Sequence, residues 1–267
     1  NRPGNFNKSI IITTNTVNNG RAILRITGEV LPREKTIEDY YPKKIGNLRL
    51  QSNHFPFTTV YSNQIKRDTL KIYNDSDELM KISFNQVPDY LKLNVYPKEL
   101  KPGEKGFIVG DYDGKKVADW GFVTSRVHLI VNGQNQAGNY ITISARVEED
   151  FSHLTEEQLK NAPKIEFPER NYNFGKVPAG QKHVEKEFVF KNTGKSDLII
   201  RKIRTTCGCT TANLEKSVLK PGESSSFKAV FTPGSRKGVQ RKSIYVITND
   251  PKNSNVRLMI SGEIVNN

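Results

Sequence analysis

A chain of 267 residues with 41 Lys and Arg against 28 Asp and Glu carries a formal net charge of +13, a length that suits about two domains with cores of their own. No stretch approaches the ~18 apolar residues of a membrane-spanning helix, and its two cysteines exclude a disulfide-dense scaffold. The charge is uneven: residues 1–44 hold 8 basic and 4 acidic side chains, 45–147 hold 13 and 10, 148–163 hold 1 and 5, and 164–267 hold 19 and 9. A basic last segment favours an anionic partner.

In chain order, residues 9–15 and 22–30 read as two strands. Thr36-Ile37-Glu38-Asp39 before Pro42-Lys43-Lys44 reads as a short structured connection. Alternating runs follow at Asp68 to Tyr73, Leu79 to Phe84, Gly106 to Gly110, Arg126 to Val131 and Tyr140 to Val147, with Asn74-Asp75-Ser76-Asp77 as a turn. Thr155-Glu156-Glu157-Gln158 predicts a capping box opening a short helix. Strands then recur at Glu187 to Lys191, Asp197 to Ile200, Ser226 to Phe231, Ser243 to Ile247 and Val256 to Ile260, separated by Asn192-Thr193-Gly194, Lys220-Pro221-Gly222, Pro233-Gly234 and Asn249-Asp250-Pro251. Phe174, Val177, Phe188 and Phe190 fall at core-facing parity. About seven short strands in ~105 residues predict a β-sandwich.

The pattern repeats. Leu-Lys-Pro-Gly-Glu occurs at 100–104 and 219–223, and Leu79 to Leu100 aligns without a gap on Leu198 to Leu219, an offset of 119. Lys8-Ser9-Ile10, Thr14-Asn15 and Gly28-Glu29 match Lys242-Ser243-Ile244, Thr248-Asn249 and Gly262-Glu263 at an offset of 234, two periods of 117. A fixed period signals tandem architecture. The expectation is an all-β chain of tandem immunoglobulin-like β-sandwiches joined by short structured linkers: 1–31 the C-terminal strands of a truncated first repeat, 32–44 a linker, 45–147 a second repeat, 148–163 a linker with a short helix, and 164–267 a third repeat. On this arithmetic roughly 75 residues of the first repeat, and any targeting signal, lie upstream. Open strand edges in 1–31 are expected either to pack on the second repeat or to be completed by a neighbouring chain.

Residues 164–267 contain, in order, Asn173-Phe174-Gly175-Lys176-Val177, Phe190-Lys191-Asn192-Thr193-Gly194, Thr206-Cys207-Gly208-Cys209-Thr210, Leu219-Lys220-Pro221-Gly222-Glu223 and Thr248-Asn249-Asp250-Pro251. This resembles a bacterial domain-of-unknown-function family with a Cys-Gly-Cys signature in the Ig-like Hydin and major-sperm-protein superfamily. The second repeat is similar more loosely: it keeps Phe57, Asn74 and the Pro-Gly-Glu turn without the cysteines. The resemblance implies an Ig-like fold and a secreted or lipid-anchored envelope protein, often in tandem arrays. The superfamily also includes periplasmic pilus chaperones and ciliary adaptors that work by protein–protein contact, and no activity is implied.

Cys207 and Cys209 are the one constellation with possible chemistry. Arg201, Lys202 and Arg204 nearby favour thiolates, so three readings stay open: a disulfide or packing pair, a redox-labile pair, or part of a Cu(I) or Zn(II) site. At offset 119 the Cys-Gly-Cys falls on Pro88-Asp89-Tyr90, so the fold does not require sulfur there. His54, His128, His153 and His183 are scattered with no ligand spacing. Asp68-Thr69-Leu70 fits a short O-glycosylation pattern of some envelope bacteria. No phosphate loop, HExxH or nucleophile elbow occurs. The expected function is therefore a non-enzymatic envelope spacer or protein-interaction scaffold with no cofactor. Its partners are other envelope proteins met through strand edges and an acidic partner facing residues 164–267, with Arg201, Lys202, Arg204, Arg236 and Lys237 as candidate anionic contacts. The alternative is a redox or metal-handling domain centred on the cysteines. Nucleic-acid binding has no RNP-like aromatics or recognition helix behind it.

Overall fold

The computed structural model describes residues 3–15, 20–135, 138–205 and 209–265, with the backbone alone for 209–213. It opens on a two-stranded antiparallel ribbon of β1 (Gly4–Thr13) and β2 (Arg21–Val30). A short helix α1 (Ile37–Tyr40) leads into β3 (Lys43–Ile45), β4 (Leu48–Leu50), β5 (His54–Tyr61), β6 (Ile65–Asn74), β7 (Met80–Asn85), β8 (Leu91–Tyr96), β9 (Glu99–Leu100), β10 (Lys105–Asp113), β11 (Gly121–Val131) and β12 (Tyr140–Glu148). These form two facing sheets, ordered β3-β4-β6-β10-β8 and β5-β12-β11-β7-β9. Helix α2 (Glu156–Lys160) follows, with its capping box formed as the sequence predicts: Thr155 Oγ1 accepts from the Gln158 amide at 3.2 Å, and Gln158 Oε1 from the Thr155 amide at 2.8 Å.

The C-terminal sandwich repeats the plan with β13 (Ile165–Glu166), β14 (Asn171–Pro178), β15 (Val184–Asn192), β16 (Leu198–Thr205), β17 (Cys209–Leu214), β18 (Val218–Leu219), β19 (Ser224–Phe231), β20 (Gly238–Thr248) and β21 (Asn255–Val265), in sheets ordered β13-β15-β19-β17 and β14-β21-β20-β16-β18. The chain is thus all-β, with Ig-like sandwiches in tandem. Period-2 alternation turns one face of each strand inward, so Leu70, Ile72, Ile108, Leu129 and Ile143 fill one core and Phe188, Phe190, Phe227, Val246 and Leu258 the other. Phe174 and Val177 are partly buried, beside Phe231 and Ile264.

The closing hairpins share one register at 117-residue intervals: Gly4 pairs with Val30, Gly121 with Val147 and Gly238 with Ile264. Both β11 and β20 start about five residues before the apolar runs that predicted them, because their first residues, of mixed polarity, stay paired along the hairpin. Strands β5 and β14 were masked in sequence by Pro56, Gly175 and Pro178. Each pairs in parallel with the last strand of its sandwich and breaks register at the same place, between Ser144 and Arg146 and between Asn173 and Lys176. The bulge needs a left-handed residue; Gly175 supplies it at φ 71°, and Thr58 at φ 54° bears the strain of a β-branched side chain there. The Thr58 hydroxyl accepts from Lys66 Nζ at 2.6 Å.

The ungapped alignment of Leu79 on Leu198 is off by one. Met80 pairs with Leu100 as Leu198 pairs with Leu219, and both are buried while Leu79 is exposed. The lost residue is Arg201, extra in β16: Ile200 faces Thr248 and Lys202 faces Ile247, leaving Arg201 as a bulge. Its counterpart β7 runs against β11 from Ile82 to Asn85 with no such shift.

The duplicated Leu-Lys-Pro-Gly-Glu turns are anchored alike. Glu104 and Glu223 each turn a carboxylate back onto the amide of Lys101 or Lys220 at 2.7 Å. Lys216, at 2.6 Å from Glu223, is the main cause holding that carboxyl below its ordinary pKa. The turn is then tied to a fully buried asparagine, Asn74 or Asn192. Asn192 Nδ2 donates to the carbonyls of Ser196 at 2.8 Å and Leu219 at 2.9 Å, and Asn74 Nδ2 to those of Glu78 at 2.7 Å and Leu100 at 3.0 Å.

Candidate interaction surfaces

A bulge re-aims the side chain it carries. Arg201 leaves the C-terminal sandwich and meets the end of the middle one: Nε and Nη2 lie 3.2 and 3.0 Å from Glu149 Oε2, and the guanidinium sits 4.9 Å from the Trp120 ring centre. Next to it Lys202 Nζ donates to Asp119, and Arg204 lies 5.8 Å from the ring centre of Phe122. Cations over aromatic faces and beside carboxylates are attracted by both. Between them Gly121, at φ 73°, lets the backbone approach so closely that a Cβ there would stand 2.5 Å from Ile247 Cδ1. Three basic residues of β16 and the start of β11 thus form one junction.

The anionic complement expected for residues 164–267 is therefore partly internal. Arg201 and Lys202 spend their charge on Glu149 and Asp119. Arg236 and Lys237 lie apart from these, exposed in the turn before β20, where Arg236 Nη1 donates to the carbonyls of Thr232 at 3.1 Å and Pro233 at 3.0 Å. Sequence reasoning missed Asp119, Trp120, Phe122 and Glu149; laying Asp119-Trp120-Gly121-Phe122 over Arg236-Lys237-Gly238-Val239 at the 117 offset would have exposed them as a place where the copies differ.

Cys207 and Gly208 lie outside the described residues, as does the side chain of Cys209. The backbone of Cys209 opens β17 opposite Phe231. Its register counterpart is Leu91, which faces Tyr112, so the sequence offset of 119 that placed it on Tyr90 is one residue too large. β17 is an edge strand, paired only with β19. Among the described residues no group of three or more His, Cys, Asp or Glu is placed to hold a metal ion. His54 Nε2 is 2.7 Å from Ser144 Oγ, and His183 is 3.5 Å from Glu185. Thr69 is exposed on β6.

The ribbon is the other unusual surface. Every residue of β1 is exposed, and in β2 only Gly28 and Val30 are even half-buried. Ile10 is 50% exposed, Leu24 52% and Ile26 53%. β1 and β2 form a sheet by themselves. Among the described residues no helix is long and apolar enough to cross a membrane.

No curated protein matches the sequence. Among solved structures, a protein of unknown function from Porphyromonas gingivalis W83 is similar with a TM-score of 0.58 at 14% identity, covering 82% of this chain and 100% of that one. The ASH / PapD-like domain 7 of human CEP192 (TM-score 0.32, 14% identity, 45% of this chain and 99% of that one) and the YadV chaperone (0.31, 11%, 82% and 100%) are more distant. At 14% identity the likeness to the Porphyromonas gingivalis protein extends to the fold alone. Residues 165–264, which span the C-terminal sandwich, match the family described as protein of unknown function, DUF1573.

Proposed function

We propose that this chain is a non-enzymatic cell-envelope protein, periplasmic or associated with the outer membrane, whose tandem sandwiches act as a spacer and present strand edges to other proteins. The observation that carries the reading is the open edge of β8, which among the described residues pairs only with β10 and carries Tyr96, 54% exposed. Open edges bearing apolar side chains take up partner strands. On this reading residues 1–31 are the closing hairpin of a repeat, 45–147 and 164–267 are two further repeats, and 32–44 and 148–163 are their linkers.

The test is the size and company of the protein released intact from native envelopes. Light scattering after gel filtration is expected to show it co-eluting with another protein, above the mass of its own polypeptide. Elution alone at the mass of one polypeptide would overturn the proposal.

A further inference from the structure

The junction between the sandwiches has a counterpart at the far end of the C-terminal sandwich. In the middle sandwich the strand-opening segment Asp119-Trp120-Gly121-Phe122 receives the basic strand β16. At the 117 offset the C-terminal sandwich presents Arg236-Lys237-Gly238-Val239, on a hairpin of the same register. The glycine is kept and its left-handed φ is kept, 73° at Gly121 and 71° at Gly238. What changes is the sign of the charge and the state of the surface. A Cβ on Gly121 would meet Ile247, whereas one on Gly238 has nothing within 4 Å. Val239, in the place of Phe122, is 68% exposed, second among the described large apolar side chains only to Leu31. Beside it a shallow cavity of about 370 Å³ is lined by Lys176, Val239, Arg241 and Glu263.

We infer that this end is a docking surface for an acidic partner: a β-strand of another protein that carries carboxylates where β16 carries Arg201 and Lys202, and apolar side chains that cover Val239. Continuity with the internal junction fixes the mode of contact, and charge complementarity fixes the partner. A second copy of this chain does not fit, because its β16 is cationic and already engaged, and its β7 has no counterpart of the bulged Arg201 and offers the uncharged Ser83 and Asn85 where β16 has Lys202 and Arg204. Long-range attraction to a basic end speeds encounter, and the apolar contact makes it specific.

The inference rests on reading the chain as a contact scaffold, but the β8 edge belongs to the middle sandwich, so either surface can fail while the other stands. The probe is a fluorescent peptide of residues 198–205 with Arg201, Lys202 and Arg204 replaced by glutamate, titrated into the full chain at 100 mM NaCl. Binding is expected to be at least tenfold tighter than that of the unaltered peptide. It should weaken tenfold or more in the Arg236→Glu/Lys237→Glu variant and severalfold in Val239→Ser, with the urea midpoint of both variants unchanged. The inference is overturned by no saturable binding, by equal binding of the two peptides, or by indifference to the uncharged Val239→Ser, which would mark simple polyanion attraction. Phosphatidylglycerol vesicles retained through Lys237 in place of the peptide would reassign the surface to a lipid headgroup, and overturn it too.

Discussion

Asn192→Ala is expected to lower the stability of the C-terminal sandwich by roughly 3 kcal/mol, since it strands the buried carbonyls of Ser196 and Leu219, and an unsatisfied buried group costs ~1–3 kcal/mol. The loss reaches further than two bonds. Asn192 Oδ1 also accepts from the Gly194 amide at 3.0 Å, whereas the backbone bonds with the Pro-Gly-Glu turn, to Glu223 O at 2.9 Å and from Gly222 N at 2.8 Å, remain available to alanine. One side chain therefore holds a strand end, the following turn and the duplicated motif in a fixed relation. Asn74→Ala should cost the middle sandwich a similar amount, because Asn74 makes the equivalent bonds to Glu78 and Leu100. The check is the urea midpoint followed by far-ultraviolet circular dichroism, with exposed Asn85→Ala as the control that should shift it little. A change under ~0.5 kcal/mol at Asn192, the range of ordinary surface substitutions, would show that water or relaxation satisfies the carbonyls.

Gly121→Val is expected to uncouple the two sandwiches. A β-branched residue at φ 73° bears about 1–2 kcal/mol of backbone strain, and its Cβ, 2.5 Å from Ile247, adds roughly 1–3 kcal/mol of overpacking. The least costly relief is to open the junction. Small-angle scattering should then show a wider spread of interdomain distances. Arg201→Ala, which loosens wild type by removing the Glu149 and Trp120 contacts, should add little on top of it, as expected for changes that act on one interface. Gly4 occupies the same place in the ribbon and faces open space, so Gly4→Val provides the matched control. Additive effects of Gly121→Val and Arg201→Ala would mean that the two contacts do not belong to one junction.

The fold was legible in the sequence because two signals agreed: apolar alternation at period 2 and turn chemistry repeated at a fixed offset. The register of the closing hairpins follows from that offset directly. The asparagines were legible only as turn residues, since nothing local distinguishes an Asn on a turn's surface from one turned under it to satisfy strand-end carbonyls. The bulge at Arg201 was hidden by a coincidence of identity, Leu79 over Leu198, where the buried partner is Met80. With the bulge went the junction, because one inserted residue decides whether a basic side chain points along its own sheet or out toward Glu149 and Trp120. Charge totals placed the basic excess in residues 164–267. They could not divide it between Arg201 and Lys202, paired within the chain, and Arg236 and Lys237, left on the surface.

The central claim is that a strand edge of the sandwiches is a contact edge, and a photo-reactive residue in living cells tests it most directly. Introduced at Lys92 or Tyr96 on β8 it should give a discrete cross-linked adduct on illumination, while the same residue at Lys71, exposed on an inner strand of the same sheet, should give none. No adduct from either β8 position, or equal labelling from Lys71, would contradict the account.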